Sequence, residues 1–106
     1  MILTDEKVTK IMNSDIIKGI YPMIDHIKVF LLWDGDEEYP LYDISLKIYL
    51  NDPDITTSNM YDKGLDPHYL VDNHMVLLLK FLGSSKHEIA QVYIRVIDPD
   101  GNVIYW

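Results

Sequence analysis

Apolar residues recur along this chain in two rhythms, one of three to four residues and one of two. Val8, Ile11, Met12, Ile16 and Ile20 follow the first, the spacing of one face of a helix. Thr4 is a good N-cap, and Asp5 and Glu6 sit where the positive end of a helix dipole favours acids. The spacing predicts a helix from Thr4 to Gly19, stopped by Gly19 and Pro22. Asn13-Ser14-Asp15 is its weak point, where it would divide into two short helices. A second stripe, Leu70, Val71, Met75, Leu78, Leu79 and Leu82, predicts another helix. It opens on Asp66-Pro67, an N-cap followed by proline at the first helical position, and closes at Gly83.

The period of two is cleanest from Leu41 to Leu50. Ile44, Leu46, Ile48 and Leu50 fall on one face, Asp43, Ser45, Lys47 and Tyr49 on the other. Ile89 to Ile97 alternates too, with Ala90, Val92, Ile94 and Val96 expected inward and Gln91, Tyr93, Arg95 and Ile97 outward. His26 to Trp33 is β-branched and aromatic on both faces, which predicts a central strand. The turn Asp34-Gly35-Asp36-Glu37-Glu38 joins it to the next strand as a hairpin. Asn51 to Gly64 is polar, interrupted by Asp52-Pro53, and is expected to be the longest loop. Asp98-Pro99-Asp100-Gly101 is a tight turn with glycine at the positive-φ position, leading to a return strand from Asn102 to Trp106.

The order is αββαββ. The expected architecture is one α+β domain over residues 1–106: a four-stranded antiparallel sheet with two helices packed on one face. The length suits one core, and an apolar share of 48% with 11% aromatic supplies it. The chain has no cysteine, which removes disulfides, thiolate nucleophiles and cysteine-based metal sites. Its start is acidic, without the basic and apolar regions of a signal peptide, and its longest purely apolar run is Met75 to Leu79. A cytoplasmic protein that does not enter a membrane is the expectation.

Charge sharpens this picture. The net charge is −8, against the basic surface that nucleic-acid binding calls for, and Arg95 is the only arginine. The segments before Leu31 and after Leu79 are each neutral. The whole excess lies between them, where ten acids face only Lys47 and Lys63.

Few residues suggest chemistry. Asp34, Asp36, Glu37 and Glu38 cluster on the hairpin tip, but the glycine and distal glutamate of an EF-hand are missing. His68 and Asp72 share a helix face without a third ligand, and His74 falls elsewhere on that helix. No serine sits in a nucleophile elbow, and no phosphate-binding loop is present. No catalytic residue, metal or cofactor is assigned.

The outward sheet face is more informative. Ser45, Lys47 and Tyr49 from one strand should share it with Gln91, Tyr93 and Arg95 from another. Tyrosine with arginine is an interface composition. Trp106 either covers the core edge or projects into a partner, and the last strand, if it is an edge, offers backbone to a partner's sheet.

The expectation is a small acidic interaction domain of an inhibitor, immunity or accessory-subunit type, without catalytic activity. It would bind another protein with a basic surface, through Asp34, Asp36, Glu37 and Glu38, through Lys47, Tyr49, Tyr93, Arg95 and Trp106, or through both. The alternative is a structural subunit of a larger assembly, such as a phage or virion connector-type component, oligomerising through an edge strand. A nucleic-acid mimic and a metal-binding enzyme stand behind these.

Overall fold

A computed structural model describes residues 5–33, 41–72 and 88–106. The elements are α1 (Asp5–Met12), α2 (Asp15–Ile20), β1 (Ile24–Trp33), β2 (Leu41–Leu50), α3 (Pro67–Leu70), β3 (Glu88–Ile97) and β4 (Val103–Tyr105). The class is α+β, with one four-stranded sheet in the order β1-β2-β3-β4.

The first helix divides where its sequence is weakest. Ser14 takes an extended conformation and starts α2, and Asn13 turns its side chain onto the sheet. Its Nδ2 donates to the Ile27 carbonyl at 2.8 Å, and its Oδ1 accepts from the Ile27 N–H at 2.8 Å. The Asp5 carboxylate accepts from Leu31 N–H at 2.8 Å. Residues of the first helical segment thus occupy backbone groups along one edge of the sheet, which hinders edge-to-edge pairing.

Two expectations are corrected. β1 is an edge strand, not a central one. Its second apolar face is not covered, because Phe30 and Leu32 stand 49% and 65% exposed on the open side of the sheet. Apolarity on both faces was a signal of burial on both faces, and here one face looks outward. The sheet is also not wholly antiparallel. β1–β2 and β3–β4 are antiparallel, but β2 and β3 run parallel. A parallel neighbour needs a crossover of about a dozen residues or more, and the long chain between Leu50 and Glu88 supplies it. Ile97 keeps its place on the outward side, paired with Tyr49 in unbroken register and outside the core cluster, yet it is only 8% exposed.

The expected loop after β2 helps build the core. Ile55, Met60 and Leu65 are buried with the inward sheet residues Ile27, Val29, Ile44, Leu46, Ile48 and Val96. Val8, Met12 and Ile17 of the first two helices, and Leu70 of α3, join the same cluster. The helical segments therefore share one side of the sheet. The loop holds its shape through short-range bonds: Asp52 accepts from Asp54 N–H at 2.9 Å, and Asn59 accepts from Thr56 N–H at 2.7 Å. Thr57 Oγ1 reaches across to donate to the Ile104 carbonyl of β4 at 2.6 Å.

Asp66 caps α3 by accepting from His68 and Tyr69 N–H groups at 3.1 and 3.2 Å, with Pro67 behind it. The continuation of this helix to Gly83 lies outside the described residues. The final hairpin forms as its sequence indicates. Asp98 accepts from Asp100 and Asn102 N–H groups at 3.0 and 2.8 Å, and Gly101 takes a φ of +90°. Among the described residues, no helix is long and apolar enough to cross a membrane.

Candidate functional site

Among the described residues the helices cover one side of the sheet and leave the other open, and strand register decides what meets there. Lys28 of β1 lies opposite Lys47 of β2, and Lys47 lies opposite Arg95 of β3. Three of the nine basic residues in a chain of net charge −8 thus form one row across three strands. The neighbouring row holds His26 and Tyr49; the next holds Phe30, Ser45 and Tyr93.

Like charges side by side on a sheet repel, and here each cation leans onto a ring instead of toward its neighbour. Lys28 Nζ lies 5.3 Å from the centre of the Tyr49 ring, and Lys47 Nζ 5.6 Å from that of Phe30. The Arg95 guanidinium lies 4.7 Å from the centre of the Trp106 ring. His26 stacks on Tyr49 with ring centres 4.4 Å apart and planes 7° from parallel, and its Nδ1 meets the Asp25 carboxylate at 2.6 Å. Tyr93, held by its hydroxyl to Gln91 Oε1, remains half exposed, and Trp106 is 75% exposed. Trp106 therefore projects from the sheet and does not cover the core.

Two hollows lie along this face. One of about 510 Å³ runs past Tyr93, Arg95 and Trp106 and reaches His68 and Tyr105 on the helix side; the other, of about 370 Å³, lies by Phe30 and Leu32 and is also lined by Asp5 and Asp43. Ser45 and Tyr93 line both.

Tyr105 points to the opposite side from Trp106, with its hydroxyl on His68 Nε2 and its ring edge-on to the imidazole. Burial, then the nearby Tyr61 and Asp66, push the Tyr105 phenol above its ordinary pKa. Burial does the same to Tyr21, with Tyr69 and Asp66 adding to it. Among the described residues, no three histidine or carboxylate groups converge as metal ligands.

Lys47, Tyr49, Tyr93, Arg95 and Trp106 are thus brought onto one face. Asp34, Asp36, Glu37 and Glu38 lie outside the described residues. Lys28, His26, Phe30 and Leu32 complete the face and were missed in the sequence, because β1 read as buried on both sides. Parity was the available signal: these four share one phase of the strand, and two of them are basic or titratable.

No protein-family model matches this chain, and no curated protein or solved structure is significantly similar to it.

Proposed function

We propose that this chain is a non-catalytic interaction domain that binds another protein through the open face of its sheet. The observation that supports it is the cross-strand row Lys28–Lys47–Arg95, flanked by Phe30, Tyr93 and Trp106. A row of like charges works against sheet stability, and an ordinary solvated face has no need of one. Large exposed rings with arginine are the side chains that dominate binding at protein interfaces. The side chains of Asn13, Asp5 and Thr57 occupy backbone groups of the two outer strands, so the face is the better docking surface than the edges.

Two of the six described acids of the middle segment have a local structural role. Asp52 and Asp66 are engaged in turn and cap bonds that fold the chain. A photo-crosslinking residue at position 93 in the native host tests the proposal against the same residue at exposed Ser58. A partner captured from position 93 and not from position 58 supports the face. Equal capture from both, or from neither, overturns it.

A further inference from the structure

We infer that the face takes an extended acidic segment of the partner protein, one that alternates carboxylates with bulky apolar residues. This rests on the sheet-face proposal above and adds the chemistry of what docks there. The two hollows are neighbours, with Ser45 and Tyr93 in the lining of both. Together they span the strands, from Phe30 and Leu32 at the β1 edge to Arg95 and Trp106 beside β4, and the cation row lies along them. An occupant that fills both hollows is elongated, offers negative charge to the cation row, and meets Phe30 and Leu32 with apolar groups, since the Asp5 and Asp43 carboxylates line that same hollow.

Charge complementarity selects among occupants. A second copy docking face to face with its two-fold axis on the row would set three cations against three cations, which repels. A basic segment is repelled by the row itself. Single-stranded nucleic acid would find cations and rings, but the chain's net charge of −8 opposes a long polyanion. A short acidic segment suffers less from that distant charge, because salt screens it beyond about 8 Å while leaving the contacts at the row in place. Leu32, with no hydrogen-bonding group and 65% exposed, suits an apolar side chain better than a nucleotide.

The cations are held ready. Among the described residues, each rests on an aromatic ring and not in an ion pair, so a carboxylate arriving at the row gains a charge-assisted hydrogen bond without first breaking a salt bridge within that set.

The test uses the full chain and three fluorescent probes read by anisotropy: an alternating Glu-Leu peptide, an alternating Lys-Leu peptide and oligothymidine. The Glu-Leu peptide is expected to bind, to weaken as salt rises, and to lose roughly tenfold in affinity to the Lys47→Glu/Arg95→Glu double variant. Circular dichroism should show that variant folded, since both side chains reach solvent. Tighter binding of oligothymidine than of the Glu-Leu peptide would overturn the inference in favour of nucleic acid. So would binding of the Glu-Leu peptide that the double variant leaves unchanged, or no binding of it at all. Crosslinking from position 93 separates the two levels. If a partner is still captured there while the Glu-Leu peptide fails, the face stands and its acidic occupant does not.

Discussion

Asn13 grips both backbone groups of Ile27, donating to its carbonyl and accepting from its N–H, each at 2.8 Å. One side chain imitates a neighbouring strand for one residue, and it sits at the break between α1 and α2. Asn13→Ala removes both bonds from a partly buried position. It is expected to destabilise the fold by about 1–3 kcal/mol, seen as a lower midpoint in urea or thermal unfolding. Asn13→Asp keeps the acceptor and loses the donor, and should fall between.

Met60 sits in a segment with no strand or helix, yet it is fully buried against the sheet. Met60→Ala is expected to cost about 2–5 kcal/mol, as much as a truncation inside β2. Ser58→Ala, two residues earlier and exposed, should stay within about 0.5 kcal/mol of the parent. Equal small effects in chemical unfolding would show that the loop does not belong to the core.

Two glycines should respond in opposite directions to alanine. Gly101 has a φ of +90°, where an added Cβ is strained, so Gly101→Ala should destabilise by about 1–2 kcal/mol. Gly19 lies in α2 with nothing within 4 Å of where a Cβ would stand, so Gly19→Ala should stabilise by about 0.5–1 kcal/mol. Differential scanning calorimetry reads both.

The cation row should be detectable as a stability effect. Lys47→Gln removes the middle charge of three and is expected to stabilise the chain by about 0.2–1 kcal/mol at low ionic strength. The gain should shrink with added salt. A loss of stability would mean that the cation–ring contact outweighs the repulsion.

Tyr105 and Tyr21 give a signature at alkaline pH. Both phenols are raised from 10.0, so between the unfolded and folded pKa values the folded chain holds protons that the unfolded chain has lost. Their contribution is complete below the unfolded value and is lost as pH rises through the folded one. Unfolding midpoints should therefore drop above pH 10, and Tyr105→Phe should make that drop shallower.

Much of this fold is legible in the residue pattern, and the exceptions have specific causes. The inward set Ile44, Leu46, Ile48 and Leu50 is read directly from alternation, because each faces one core. The turn at Asp98 to Gly101 is equally direct, since its chemistry is local. Strand direction is not: Ser45 faces outward beside Tyr93 whether β2 and β3 run parallel or antiparallel, so the parallel pairing leaves no mark on either pattern. Ile55, Met60 and Leu65 escaped notice because isolated apolar residues in a polar stretch have no period. The face itself was half visible. Lys47, Tyr49, Tyr93 and Arg95 follow from alternation, but the row needed Lys28, whose strand pattern pointed to burial on both sides.

The parallel pairing of β2 with β3 also bears on how the molecule comes together. Its two hairpins are local in sequence and close quickly, whereas the seam between them joins distant parts of the chain and carries the larger loop-closure penalty. Lys28 and Lys47 stand before that seam, Arg95 and Trp106 after it. The docking face therefore does not exist in either half alone. If the proposed partner docks there, it would sense completed folding, and a chain stalled before the seam closes would not recruit it.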